Sequence, residues 1–454
     1  MTAYSSINSF DTAVHNVLQG PKFPDKEFVR GGATFGAVYK MAAGLRIALS
    51  ETLKPEAVVC LAAEDKAIIA AALLASLAGG PTLLLPFAFS ANALAQLQQT
   101  TGFTRAIADT PREFPKEVQV LCRQSAGSMK IPIAPRAGPR GELLRIFTGG
   151  STGTPQVWSK TGENLFGEGF FLAKRYAVTE DDCILATIPP YHIYGLLFSV
   201  ILPLVSSATV APETPSFPNE IVAAAKKQKA TILASVPAHY RVLRDKKMVL
   251  RLAFSSAGML DTEDNQMFSR QNLNGIVEVY GSTETGGIAT RNRSLGEEYF
   301  TPFSTIRWKV VDSRLAVHSP FVSPELPVDN DGFFSTNDRV EAKDSDHFAL
   351  QGRIDSVTKV GGKRVDLEEI SLRIKKEPGV MDCVVMALPE AGGREHCIGA
   401  LIEGDTANTK TIKKNLTLCL EPYALPRRLK KVERIPLTKN GKYDWIAIVQ
   451  LLKQ

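Results

Sequence analysis

Short apolar runs alternate with helix-patterned stretches along most of this chain, and that alternation restricts the fold more than any other feature. Residues 57–62 read as a buried strand. Residues 66–77 read as an Ala/Leu helix closed by Gly79-Gly80-Pro81, and residues 82–86 as the next strand. A helix over 91–99 and a short strand over 105–108 follow. This is the spacing of βαβ units, and it implies a parallel sheet. Further apolar strands are expected at 143–147, 184–187, 230–235 and 250–255, with helices at 34–53, 160–177 and 221–228. After Ser304 the texture changes to shorter alternating strands, 306–311 and 315–318, which suggest a small β subdomain. The expected class is α/β. A large N-terminal domain, residues 1–354, carries mostly parallel sheets flanked by helices plus the β subdomain. A small α+β C-terminal domain, residues 355–454, follows a boundary at Asp355.

In open α/β sheets ligands bind beyond the carboxyl ends of the strands. Four such ends here carry small or polar clusters. They are Thr148 onward, Pro189-Pro190-Tyr191-His192, Ser255-Ser256-Ala257-Gly258, and Tyr280-Gly281-Ser282-Thr283-Glu284. The first is the densest, running Phe147-Thr148-Gly149-Gly150-Ser151-Thr152-Gly153-Thr154-Pro155-Gln156. Glycine lets backbone approach an anion closely, and N–H groups with Ser/Thr hydroxyls supply donors for phosphate oxygens. It is not a Walker A loop, because Gly153 is not followed by Lys-Ser or Lys-Thr at the required spacing. A Gly/Ser/Thr cluster alone is most often an ordinary surface loop. Singly, Glu284 reads as a surface acid, Tyr280 as packing, His192 as an aromatic-cluster residue, and Asp338 and Lys442 as turn chemistry.

Composition removes several classes. A formal charge of +6 is modest for 454 residues and does not suggest nucleic acid. Five of those net charges lie from Asp355 onward, so charge is asymmetric between the two parts. The six cysteines form no C-x-x-C pair, and there is no HExxH stretch. This argues against a disulfide framework or a structural zinc site, and fits a reducing, cytoplasmic setting. Residues 1–10 are polar, so no secretory signal is expected. Residues 193–212 are uncharged, but Pro203 and Ser206-Ser207 interrupt them. They read as a buried helix and a strand at 208–211, and no membrane span is expected.

Taken in order, these clusters resemble the adenylate-forming superfamily: acyl- and aryl-CoA synthetases, carrier-protein ligases, peptide-synthetase adenylation domains and beetle luciferases. The resemblance covers essentially the whole chain and implies an AMP-forming acid–thiol ligase. Thr148, Gly149, Gly150, Ser151, Thr152 and Gly153 resemble the loop that holds the ATP phosphates. Residues 189–195 resemble the aromatic-His segment lining the acyl pocket. Tyr191, His192, Tyr194, Gly286 and Gly287 are then the candidate substrate contacts. Ala257 and Gly258 resemble the turn against adenine. In the Tyr-Gly-x-Thr-Glu stretch Tyr280 would stack on adenine beside Gly281, Thr283 would reach the α-phosphate, and Glu284 would hold Mg2+. Thr336-Asn337-Asp338 resembles the Thr-Gly-Asp whose Asp binds the ribose hydroxyls. Arg353 and Asp355 resemble the segment ending in the hinge of a mobile C-terminal domain. Gly361 and Gly362 would let a phosphopantetheine arm pass. Lys442 of Lys439-Asn440-Gly441-Lys442 resembles the adenylation catalyst. The implied cofactors are ATP, Mg2+, and coenzyme A or a carrier-protein phosphopantetheine. The implied partners are a small carboxylic acid and an acyl carrier protein.

Several positions depart from the family pattern. Gln156 stands where the loop ends in Lys, and Lys160, one helical turn on, is the candidate substitute. Gly149 replaces a Ser. Asn337 replaces a Gly, which the tolerance of Asn for left-handed backbone would allow. The region before the loop is shorter than in many relatives. A non-catalytic nucleotide- or adenylate-binding protein is the alternative, resting on Gln156. A ligase that delivers the acyl group to an amine shares the first half-reaction. No acid lies between Asp182 and Glu213 to pair a substrate ammonium, so an α-amino acid is disfavoured. Gly286-Gly287 would leave room for a flat ring or an extended chain. Carrier proteins are generally acidic. Arg373, Lys375, Lys376, Lys413, Lys414, Arg427, Arg428, Lys430 and Lys431 therefore favour a carrier protein as acceptor, although Lys/Arg also suit the phosphates of coenzyme A.

Overall fold

The computed structural model describes residues 7–52, 57–86, 88–121, 127–133, 141–148, 156–272, 274–354, 357–360, 363–389, 396–438 and 443–454. Two sheets carry the N-terminal part. The first contains β1 (Val58–Ala62), β2 (Thr82–Leu85), β3 (Arg105–Ala108), β4 (Gln119–Leu121), β5 (Glu142–Thr148) and β6 (Gln156–Thr161), in the order β4-β3-β1-β2-β5-β6. Its pairings are parallel except β5 with β6, which run antiparallel with Thr148 opposite Gln156. The helix Lys66–Leu77 crosses between β1 and β2. It is apolar on all sides and almost wholly buried, as a helix between a sheet and other helices must be. Asp65 caps it, accepting from the N–H groups of Ala67 and Ile68.

The second sheet contains β7 (Cys183–Ala186), β8 (Thr209–Val210), β9 (Ile232–Ser235), β10 (Leu252–Ser255), β11 (Val277–Ser282), β12 (Gly286–Arg291) and β13 (Thr301–Pro302). Their order is β13-β12-β11-β10-β9-β7-β8. β8, β7, β9, β10 and β11 are mutually parallel, and β12 and β13 are added antiparallel. The inner strands are buried on both faces, which explains their continuous apolar runs. One face packs on Tyr240, Leu243 and Phe268 from the helices Pro237–Leu243 and Thr262–Gln271. Residues 193–206 are helical through Ile193–Leu196, a wide π turn Leu197–Ile201 and Leu202–Ser206, and then enter β8. Among the described residues no helix is long and apolar enough to cross a membrane.

One expected element is different. Lys160 and Thr161, expected to open a helix, instead end β6. Pairing of Val157 and Trp158 with Phe147 and Ile146 of β5 outweighs local helix propensity. The helix begins after Gly162, with a π turn Glu163–Gly167 leading into Glu168–Arg175.

The later strands are β14 (Arg307–Val311), β15 (Arg314–His318), β16 (Phe334–Ala342) and β17 (Phe348–Arg353), consecutive neighbours in one sheet. They are followed by the hairpin β18 (Val357–Val360) and β19 (Lys363–Asp366), and by the sheet β20 (Asp382–Pro389), β21 (His396–Glu403) and β22 (Arg428–Val432). The chain divides into two compact units. The larger comprises Met1–Trp308 with Val317–Phe334, and the smaller Lys309–Ala316 with Ser335–Gln454. Most of the β14–β17 sheet thus groups with the C-terminal residues. The smaller unit has cores of its own. Ile370, Ile374, Ile412 and Leu416 from two helices form one, and Ile448 and Leu452 of the helix Trp445–Lys453 belong to the other.

Candidate active site

The carboxyl ends of β7, β9, β10 and β11 gather the larger unit's candidate residues. After β7 the chain turns through Pro189-Pro190 into Tyr191 and His192. The Tyr191 ring is buried, with its centroid 4.7 Å from Phe89 and 4.7 Å from His192. Burial pushes its phenol up. Gly195 is required here, because a Cβ would lie 2.0 Å from the Pro189 carbonyl oxygen. Tyr194 donates its hydroxyl to the Phe254 carbonyl at 3.0 Å, so that group braces β10. Tyr240 donates to the same carbonyl at 2.8 Å.

A polar cluster that the sequence did not reveal sits beside this segment. His239 Nδ1 lies 2.9 Å from Thr187 Oγ1 and 3.3 Å from Ser235 Oγ, and the two hydroxyls are 2.8 Å apart. Burial lowers the His239 pKa to about 4, so the ring is neutral at ordinary pH. On the neighbouring strand Ser255, paired in register with Ser235, is buried. Ser256 donates to the Val279 carbonyl at 2.8 Å and ties the adenine-turn candidate to β11. Ala257 sits at φ +69°, a left-handed conformation that costs a non-glycine residue about 1 kcal/mol or more. Gly258 faces Pro237, in ordinary contact with where a Cβ would be.

The most tightly built element is the turn between β11 and β12. A register shift at Tyr280/Gly281 releases the strand. Gly281 is needed because a Cβ would meet the Gly286 carbonyl oxygen at 2.3 Å. The Tyr280 ring lies 5.7 Å from Phe300. Ser282 and Thr285 close a small ring across the turn. Ser282 N–H donates to Thr285 Oγ1 at 3.1 Å, Thr285 N–H donates back to Ser282 Oγ at 3.2 Å, and the two hydroxyls lie 2.8 Å apart. Thr283 and Glu284 stand half-buried on this ring. The Glu284 carbonyl accepts from Ser323 N–H at 2.8 Å and from Lys160 Nζ at 3.1 Å.

Lys160, the candidate substitute for the missing lysine, thus has its ammonium engaged by backbone carbonyls. It is 1% exposed, and its Nζ also donates to the Phe321 carbonyl at 3.1 Å. Glu168, equally enclosed, accepts from Gly287 N–H at 3.0 Å. Burial draws the Lys160 ammonium down and the Glu168 carboxyl up, each effect opposed by the charge of the other. The expected room at Gly286 and Gly287 is likewise absent where a side chain would stand. A Cβ on Gly287 would lie 2.7 Å from a Glu168 oxygen and 2.7 Å from Phe303. One on Gly286 would lie 2.9 Å from the other Glu168 oxygen and 2.7 Å from Phe321. The glycines admit the Glu168 carboxylate. No sequence pattern marks this pair, because its contacts span more than a hundred residues.

In the smaller unit Asp338 on β16 stands opposite Arg353 on β17, with Nη1 to Oδ1 at 3.5 Å. Asp338 N–H donates to Thr336 Oγ1 at 3.2 Å. Asn337 lies within strand β16 and is not among the left-handed residues. Its Oδ1 accepts from Arg314 at 3.0 Å. The glycine's replacement thus works through strand pairing. Thr148 ends β5. Gly149, Gly150, Ser151, Thr152, Gly153, Asp355, Gly361, Gly362 and Lys442 lie outside the described residues.

Among the described residues no group of three or more His, Cys, Asp or Glu could hold a metal. Mg2+ on a nucleotide takes one or two carboxylates with phosphate and water oxygens. The half-buried Glu284 on its fixed turn suits such a single ligand.

A family model described as AMP-binding enzyme matches residues 18–332. The mitochondrial malonate–CoA ligase of Homo sapiens is 24% identical over 393 residues, covering 71% of this chain and 67% of the relative. A D-alanine–D-alanyl carrier protein ligase from Staphylococcus epidermidis is 36% identical over 124 residues, or 26% of this chain and 25% of the relative. The ATP-bound crystal structure of MatB from Rhodopseudomonas palustris superposes with a TM-score of 0.82 at 19% identity. It covers 97% of this chain and 99% of that one, a likeness of fold.

Proposed function

Since the chain belongs to the AMP-binding enzyme family, we propose that it uses ATP and Mg2+ to activate a small aryl or acyl carboxylate as its acyl-adenylate, then passes the acyl group to a phosphopantetheine thiol. The observation that supports this reading most is the Ser282–Gly287 turn. It holds Thr283 and Glu284 on a rigid frame at the carboxyl end of a parallel sheet, next to the Ser256–Gly258 turn bonded to the same strand.

A carboxylate attacking the α-phosphorus brings two anions together, so positioning and charge neutralisation carry the reaction. Mg2+ held by the Glu284 carboxylate and phosphate oxygens would supply part of that charge. Thr283 would donate to the α-phosphate and Lys442 to the oxygens developing charge. The loop of Thr148 to Gly153 would hold the leaving pyrophosphate. Asp338 would take the ribose hydroxyls, with Arg353 keeping its carboxylate in place. Tyr191 and His192 would line the acyl pocket. Tyr194, its hydroxyl engaged, would contribute ring surface only. Asp355 would serve as the hinge between half-reactions, with Gly361 and Gly362 beside the thiol arm.

For the acceptor we favour a carrier protein, on a smaller basic surface than the sequence implied. Arg428 and Lys430 donate to the Leu452 and Leu451 carbonyls at the end of the helix Trp445–Lys453. Lys375 pairs with Asp382, Arg373 with Glu369, and Lys431 donates to the Asp405 carbonyl. Lys410, Lys413 and Lys414 on the helix Thr409–Cys419 are exposed. They form the face best suited to an acidic partner.

Carboxylate-dependent pyrophosphate release across a panel of acids tests the first half-reaction. For the second, Lys413→Glu with Lys414→Glu should slow carrier loading several-fold at low salt, with the effect shrinking as salt rises. Rapid turnover of free coenzyme A with no loading of any carrier protein from the same source would refute the carrier reading.

A further inference from the structure

Lys160 and Glu168 reach the Glu284–Gly287 turn from opposite chemical sides. The lysine offers only donors and takes the Glu284 carbonyl, while the glutamate takes the Gly287 N–H. Both charges are enclosed. Burying two opposite charges costs several kcal/mol per charge, and apolar side chains of similar volume often serve stability as well. The retained charge thus points to geometry. The surroundings agree. Gly286 and Gly287 leave space that the Glu168 carboxylate fills, and the π turn Glu163–Gly167 leads directly into Glu168. Lys160 also lies on β6, the strand that residues 149–155 join to β5. One buried side chain therefore ties β6 to the turn bearing Glu284.

We propose that Lys160 and Glu168 are positioning residues, two enclosed side chains of opposite charge that fasten β6 and the helix Glu168–Arg175 to the Glu284–Gly287 turn and so set where a Mg2+-bound triphosphate is held. The clamp rests on the reading of Glu284 as the Mg2+ ligand. It accounts for a buried lysine whose ammonium is committed to two backbone carbonyls. It also explains why two glycines follow Thr285, since any side chain there would displace the carboxylate.

The test is calorimetric binding of ATP to the full chain, with Mg2+ and with EDTA, alongside thermal melting. Lys160→Met with Glu168→Gln removes both charges and keeps an acceptor for Gly287 N–H. Lys160→Gln with Glu168→Gln, which removes both charges and keeps a donor as well as an acceptor, serves if the first double variant melts early. The double variant should fold and bind ATP in EDTA like the parent. It should lose about tenfold or more of the affinity that Mg2+ adds, the usual range for residues that orient a metal ligand. In pyrophosphate release its half-saturating Mg2+ should rise by the same factor, with the KM for carboxylate within about twofold. Restoring Lys160 in the Glu168→Gln background should recover part of the loss. A variant that melts lower but keeps the parent's Mg2+ dependence has lost only a structural contact, and that result overturns the clamp. If the parent binds MgATP more tightly than ATP yet releases no pyrophosphate with any acid, the proposed function fails and the clamp is still read from binding. A parent that gains nothing from Mg2+ overturns both.

Discussion

Two buried polar clusters of the larger unit solve the same problem with different chemistry. Thr187, Ser235 and His239 form a neutral one, in which hydroxyls and a ring can exchange donor and acceptor roles. Lys160 and Glu168 form an ionic one, whose donors and acceptor are fixed by charge. A neutral network tolerates rearrangement, and losing one partner costs the desolvation of one polar group. Two enclosed opposite charges tolerate little, because losing one leaves the other uncompensated in the core. The rigid solution lies under the turn that presents Glu284, where sub-ångström placement matters for catalysis. The adaptable one lies beside the proposed acyl pocket, where fit to a substrate suffices.

The contrast breaks first at Lys160. Lys160→Met alone should destabilise the unit by about 3–5 kcal/mol in denaturant melts, whereas the double variant with Glu168→Gln should recover most of that. Equal losses in the two would show that the lysine matters through packing alone. The neutral cluster has its signature in acid. Burial depresses His239 from 6.5 to about 4, with no charged neighbour contributing. The unfolded chain therefore binds the extra proton between those values. Stability is fully present above about pH 6.5 and falls as pH drops toward 4, by about 3 kcal/mol at most. His239→Asn should flatten that limb of the stability–pH curve. An unchanged slope would mean that His239 protonates without penalty and that its cluster is open to water.

The strand ends and their order were readable because each motif is local. Ser255 to Gly258 and Tyr280 to Glu284 carry their turn chemistry within five residues, and the helix Lys66–Leu77 shows its burial in composition. What could not be read is what those turns rest on. Lys160 looked like a helix residue near a phosphate loop. Only pairing with β5 makes its segment a strand, and only the fold brings Glu284 to its ammonium. Gly286 and Gly287 looked like open space for the same reason, since the carboxylate that fills it begins a helix far upstream. Arg428 and Lys430 looked like a docking face until the last helix placed its carbonyls against them. In each case charge placement followed from tertiary contacts, which a linear pattern does not encode.

Formation of an acyl-adenylate by this chain would show as carboxylate-dependent exchange of labelled pyrophosphate into ATP. Exchange should require both Mg2+ and an aryl or aliphatic acid. Lys442→Ala should abolish it while the variant still passes acyl groups from a synthetic adenylate to a thiol. A chain that binds MgATP but shows no exchange with any acid, or whose Lys442→Ala variant exchanges as fast as the parent, would contradict it.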